Sequence, residues 1–197
     1  LQVFLTALHF VLEFTFYKSK KDLNMSTTNT AKYPLSVKLF HSLVALLMIA
    51  TLIIGWQLED NEDLMGLHKS LGVSVFILAV LRVVNRIRTK DSVPGSVNAA
   101  GSMQYLAEKT VHGLLYVVML GVPLMGWLTS NAFGYPASFF GIFNLPTLIG
   151  KNIDFAEQLG ELHGLGADVF VILLALHVLG AIVHLIVNKE NVFKRMM

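Results

Sequence analysis

EQLGELHGLGADVFVILLALHVLGAIVHLIVN, Glu157 to Asn188, is an apolar run that carries His163, His177 and His184 among Leu, Val, Ile, Ala and Gly. The steps between these histidines are 14 residues and then 7. At about 100° per residue, 14 steps leave a side chain ~40° from its start and 7 steps leave it ~20° off, so the three imidazoles share one helical stripe. His163 and His177 are separated along that axis by about 21 Å, a large part of the ~30 Å hydrocarbon core of a bilayer. An apolar helix with an imidazole near each membrane face is a rail for two metal centres at two depths.

The composition agrees with a lipid setting. The 197 residues are 54% hydrophobic and 14% charged, against about 25% charged in ordinary soluble domains. A net charge of +2 gives no basis for a nucleic-acid partner, because the basic residues gather at helix ends. There is no cysteine, which excludes disulfides, iron–sulfur clusters, thiolate zinc sites and covalent haem attachment. Any metal must be held by His or carboxylate, and any haem must be non-covalent.

Four spans near the ~20 residues needed to cross a bilayer follow in order: Pro34–Trp56, Leu64–Val84, Tyr105–Thr129 and Gln158–Val187. The expected fold is all-α, a transmembrane four-helix bundle over 34–197. Residues 1–33 form an N-terminal extension. Within it, the basic cluster Lys18, Lys20 and Lys21 follows the apolar part, the reverse of a secretory signal. Met25 is the expected start, with 1–24 as upstream sequence, and His9 is set aside with it. Pro123 inside the third span allows a kink. Gly72, Gly113, Gly164, Gly166 and Gly180 stand near the histidines, where they admit either a flat ligand or a neighbouring helix.

Charge gives the orientation. Lys32 and Lys38 precede span one, Arg82, Arg86, Arg88 and Lys90 crowd the end of span two, and Lys189, Lys194 and Arg195 follow span four. The loop after span one is acidic, with Glu59, Asp60, Glu62 and Asp63, and loop 130–157 holds Lys151 as its one basic residue. Both termini are therefore expected to be cytoplasmic. The aromatic loop 130–157 is expected on the outer membrane surface, as a lid or a shield. Depth then sorts the histidines into an outer layer, His68 and His163, and an inner layer, His41, His112, His177 and His184. An isolated histidine in a membrane helix is commonly a polar group bonded across helices. Six layered at two depths point instead to ligands, since intramembrane ionisable groups are costly and normally functional. The outer layer offers too few ligands for zinc or copper. Depth alone leaves His41 free to pair with either His177 or His184.

The segment Gly66-Leu67-His68-Lys69-Ser70-Leu71-Gly72, the Arg82–Arg88 basic end, Leu162-His163-Gly164, the His163/His177/His184 spacing and the terminal Asn191–Met196 resemble the bacterial cytochrome b561 family, which includes the superoxide oxidases. The likeness runs from about Tyr33 to Met197. It implies two non-covalent haems b, an inner one between His41 and His177 and an outer one between His68 and His163. It also implies a ubiquinone end at His112 and His184, in a multi-pass protein of the bacterial inner membrane. With the 14-residue spacing, it decides for His177 over His184. The stretch from Thr129 to Thr147 departs from the superoxide-oxidase branch and is closer to a sister subgroup.

Lys69, Arg82 and Arg86 are the cations placed to meet haem propionates or quinone. The basic inner ends also follow from topology alone. Lys69, on the outer face, has no such explanation and would help attract a small anion. The expected activity is single-electron transfer between an outer donor, superoxide or a periplasmic redox protein, and ubiquinone. The alternatives are quinol-to-periplasm transfer, a cytochrome anchor for a dehydrogenase or hydrogenase, and a haem-free transporter using the histidines as a proton path.

Overall fold

The computed structural model describes residues 32–187 and 192–196. The expectations for 1–24 and Met25 lie outside them. Among the described residues four helices are long and apolar enough to cross a membrane, and the chain is a multi-pass membrane protein. The first, α1 (Leu35–Trp56), follows Pro34, whose fixed φ of −52° leads into the first turn and whose carbonyl accepts from Lys38 N at 3.2 Å. A short 3₁₀ turn, Glu62–Leu64, begins where the Asn61 side chain accepts from Asp63 N, and it runs directly into α2 (Met65–Arg88). Ser102 caps α3 (Met103–Ala132) by accepting from Tyr105 N at 3.1 Å. Asn152 does the same for α4 (Ile153–Ile186), accepting from Phe155 N at 3.0 Å. A four-residue helix, α5 (Phe193–Met196), ends the described chain.

Helices α2, α3 and α4 outrun the expected spans at one or both ends for a physical reason. Hydropathy marks only the part immersed in lipid, whereas backbone hydrogen bonding continues until a cap or breaker stops it. Helix α4 therefore starts at Ile153, beside its Asn152 cap, rather than at Gln158, and α2 continues through the basic end to Arg88. With 34 residues, α4 is about 51 Å long, well beyond the ~30 Å hydrocarbon slab. Pro123 lies within the continuous α3.

The bundle has two distinguishable ends. One, here the hairpin end, holds the α1–α2 turn and the α3–α4 connection. There a two-residue antiparallel pair, β1 (Ser138–Phe139) with β2 (Phe143–Asn144), adds a small strand element to an otherwise helical fold. The other, the terminal end, holds Leu35, Arg88, Met103 and Ile186. Arg195 of α5 is tied in there: its guanidinium donates to Gly95 O at 2.8 Å, and its carbonyl accepts from Tyr33 N at 3.1 Å.

Inside the bundle, Val44, Ala79 and Met119 are fully or nearly buried and knit α1, α2 and α3 together. A second cluster, Ala132, Ala156 and Leu159, joins α3 to α4 at the hairpin end, where the small alanines let the backbones approach. Helix α4 lies closest to α3, and α2 lies between α1 and α3. The outward faces are apolar, with Leu35, Val117 and Ile186 about 70% exposed, as side chains solvated by lipid should be.

Candidate cofactor sites: two layers of imidazoles

His68 is four residues into α2 and His163 eleven into α4. Their rings face each other at the hairpin end with centroids 6.0 Å apart and planes nearly perpendicular, at 87°. Near the terminal end, His41 of α1 faces His177 of α4 at 6.2 Å with planes tilted by 41°. A transition metal holds an imidazole nitrogen at about 2 Å, and that nitrogen lies ~1.1 Å from its ring centre, so two imidazoles on opposite sides of one ion bring their centroids to about 6.3 Å. Both separations fit an axial pair on one iron.

The proton positions at the hairpin end suit the same chemistry. His68 Nδ1 lies 3.2 Å from Thr51 O, and His163 Nδ1 lies 2.9 Å from Val122 O. A carbonyl oxygen can only accept, so Nδ1 carries the proton in both rings and the Nε2 lone pair is left for a metal. Among the described residues no group of three His, Asp or Glu side chains could hold a metal ion. Two opposed imidazoles are a poor site for a bare ion and a good one for an iron whose macrocycle supplies the other four nitrogens.

Two glycines make room for these rings, and the sequence reading did not single them out. A Cβ at Gly55 would stand 3.1 Å from His68 Cε1, and one at Gly126 would stand 3.0 Å from His163 Cε1. Each glycine lies one turn beyond the carbonyl that orients the ring, Thr51 and Val122, so one turn of α1 and one of α3 each form a seat for an imidazole. Of the glycines expected near the histidines, Gly166 serves helix packing, because a Cβ there would come within 2.6 Å of Val122 Cγ2. A Cβ at Gly72, Gly113, Gly164 or Gly180 would touch no protein atom.

The terminal-end layer is more crowded. His112 of α3 packs edge-on against His177 with centroids 5.0 Å apart, too close for the two rings to stand on opposite sides of one ion by the same arithmetic. Its Nδ1 donates to Glu108 O at 2.7 Å, which fixes Nε2 as the acceptor of the neutral ring. His184 is half-buried on α4, about 10 Å further along the axis than His177. Arg82 is within electrostatic range of both His41 and His177. Its guanidinium stands 5.4 Å over the Tyr116 ring and 3.7 Å from Met119 Sδ. Arg86 lines a neighbouring apolar groove of about 290 Å³ with Val83, Ile87, Tyr116, Val117 and Leu120. At the other end, Lys69 is half-buried beside His68 with its ammonium 5.6 Å over the Tyr135 ring.

Comparison with known proteins bears on the same residues. The family model for prokaryotic cytochrome b561 matches residues 32–197, all four spans and both imidazole layers. The chain belongs to the prokaryotic cytochrome b561 family. This cytochrome is 31% identical over 184 residues to cytochrome b561 homolog 2 of Escherichia coli K12, covering 88% of the chain and 95% of that relative. Cytochrome b561 homolog 1 of the same organism is 28% identical over 130 residues, 66% of the chain and 72% of the relative. A probable superoxide oxidase of Yersinia pestis is 27% identical over 131 residues, 66% of the chain and 73% of the relative. Membership makes the chain a membrane electron-transfer cytochrome with b-type haem.

Proposed function

We propose that this cytochrome holds two haems b, one between His68 and His163 and one between His41 and His177, and carries single electrons from a periplasmic donor to ubiquinone. The reading rests most heavily on the two facing pairs at 6.0 and 6.2 Å. When bound, the haems supply the one-electron chemistry, which no side chain of this cysteine-free chain provides.

The protein's own residues divide the remaining tasks. Thr51 O and Val122 O hold His68 and His163 in the metal-binding tautomer. Lys69, half-buried beside His68, puts a local positive charge against the uncharged loop that suits an anionic donor, within an end that Glu59, Asp60, Glu62, Asp63, Asp154 and Glu157 make acidic overall. Superoxide is the donor favoured by the likeness to a probable superoxide oxidase. Two superoxide ions lose one electron each to become dioxygen, and one ubiquinone takes both electrons with two protons to become ubiquinol. The terminal end is cytoplasmic in this reading, since the basic residues Lys38, Arg86, Arg88 and Lys90 gather there in the bacterial inner membrane.

His112 and His184 serve the quinone. Neutral His112, with Nδ1 committed to Glu108 O, can accept at Nε2 from a quinol hydroxyl. As imidazolium it can deliver a proton to a quinone oxygen. Arg82 supplies a fixed positive charge close to the terminal-end pair.

Stopped-flow mixing of the oxidised protein with superoxide tests this directly. Rapid appearance of reduced b-type bands, followed by turnover only when ubiquinone is present, is expected. Reduction by quinol but not by superoxide would reverse the direction, and absence of any b-type band would end the haem assignment.

A further inference from the structure

The α3–α4 connection contains a feature that the electron path does not use. From Asn131 to Gly150 there is no charged residue, and the stretch includes Phe133, Tyr135, Phe139, Phe140 and Phe143. At its centre the chain turns tightly between β1 and β2, with Ile142 N donating to Phe139 O at 2.9 Å. Phe140 and Gly141, the two central residues, have φ of 49° and 71°. Asn, Asp or Gly ordinarily occupy such left-handed positions, and a Phe there is under backbone strain. Its ring is spent on the surface: Phe140 is 50% exposed, Ile142 76% and Phe143 52%. Phe140 and Phe143 both pack on Phe139, with centroids 4.9 and 5.2 Å away, so the tip is a preassembled apolar wedge.

We propose that this hairpin tip is a lipid anchor, with Phe140, Ile142 and Phe143 set into the boundary between headgroups and acyl chains of the leaflet at the hairpin end. Its depth is fixed by Ser70, a buried residue five positions inside the first residue of α2. The Ser70 hydroxyl accepts from Phe140 N at 2.9 Å and donates to Gly66 O at 2.7 Å. The turn is thereby held about 8 Å down the helix from Met65, at the level of the lipid boundary rather than out in water. The backbone tolerates that level because its polar groups pair internally, through β1–β2, the 139–142 turn, Ser70 and the bond from Leu145 N to Ala137 O at 2.9 Å. Trp127, near the end of α3, is tied to the same connection, with Nε1 donating to Pro146 O at 3.1 Å, and Trp is enriched at such lipid–water boundaries.

A soluble redox partner is a poorer occupant. Short-lived electron-transfer contacts are small, and complementary charge steers them, whereas this tip has none to offer.

The absence of cysteine makes single-site spin labels clean reporters. Ile142→Cys and, separately, Phe143→Cys are labelled in the haem-loaded protein in lipid nanodiscs, with an unchanged absorption spectrum as the check on folding. Collision with lipid-soluble oxygen is compared with collision with a water-soluble nickel chelate. Asp60→Cys in the exposed α1–α2 turn and Val117→Cys on the exposed face of α3 mark water and lipid. The oxygen-to-nickel ratio at 142 and 143 is expected to group with Val117, several-fold above Asp60. Grouping with Asp60 would overturn the anchor in favour of a water-facing tip. Low access to both reagents would overturn it in favour of a protein contact, including a second copy of this chain.

Discussion

The two imidazole layers are built on opposite plans. At the hairpin end two rings meet, each with Nδ1 tied to a backbone carbonyl of an adjacent helix and each seated against a glycine. At the terminal end three rings lie together, His41 and His112 both beside His177, with Arg82 in electrostatic range. The first layer is fully committed to holding one group in one orientation. The second has an imidazole and a guanidinium beyond the two rings that the proposed haem would take, and surplus polar groups in a membrane interior are costly and normally functional. Under the proposed function, electrons would enter at the two-ring layer and leave from the layer that also holds groups able to handle protons.

The largest effects should come from removing an axial ring. His163→Ala is expected to lose the hairpin-end haem and about half of the b-type absorbance, with the terminal-end haem kept. His177→Ala should do the converse. Haem-to-protein stoichiometry checks both, and two haems retained in either variant would break the pairing. Next in size is His112→Ala. Both haems should remain, because a 5.0 Å centroid distance to His177 is too short for those rings to stand on opposite sides of one iron. Ubiquinone reduction should fall by about 10², the usual contribution of a positioned proton-transfer group, with electron entry from the donor unchanged. Loss of a haem in that variant would make His112 a ligand and erase the contrast between the layers.

Much of this was legible in the sequence because period and depth are one-dimensional quantities. Four apolar runs of membrane length gave the bundle, and a 14-residue step on one helix gave two levels. What lay beyond reach depends on which helices are neighbours. That α1 supplies Thr51 O and Gly55 to a ring on α2, and α3 supplies Val122 O and Gly126 to a ring on α4, cannot be read from any single segment. Glycines near the histidines in sequence attracted attention, but those that touch the rings are on other helices. The contact of His112 with His177 was invisible for the same reason: depth placed both in one layer, and only packing sets their separation. The hairpin escaped because Phe at a left-handed position runs against turn propensity, and the bond that ties it to the bundle comes from Ser70, 70 residues away.

A charge substitution probes the terminal layer more gently. Arg82→Gln removes a cation near His41 and His177 while keeping much of the side-chain volume. A nearby positive charge favours the state with the extra electron, so its loss should lower the potential of the terminal-end haem. A one-electron couple moves ~59 mV per tenfold change in equilibrium constant, and an interaction of about 1 kcal/mol corresponds to a downward shift of some tens of millivolts. The hairpin-end potential should move far less. A potentiometric titration in which both waves shift equally would argue that Arg82 acts on the whole bundle rather than on one layer.

The smallest predicted effect is the sharpest on geometry. Gly126→Ala places a methyl group 3.0 Å from His163 Cε1, and Gly55→Ala places one 3.1 Å from His68 Cε1. Either ring must give by a few tenths of an ångström while its Nδ1 remains tied to a backbone carbonyl, at a cost of about 1 kcal/mol in the overpacking range. Each variant should keep both haems and slightly weaken only the hairpin-end one, seen as earlier loss of one component in thermal haem release. Gly113→Ala is the matched control on α3, since a methyl group there meets no protein atom. Because Ala also favours helix over Gly by up to about 1 kcal/mol, that control should be neutral or slightly stabilising. Should Gly126→Ala behave like Gly113→Ala, the ring of His163 would have room to move, and the hairpin-end layer would not be the rigid member of the pair.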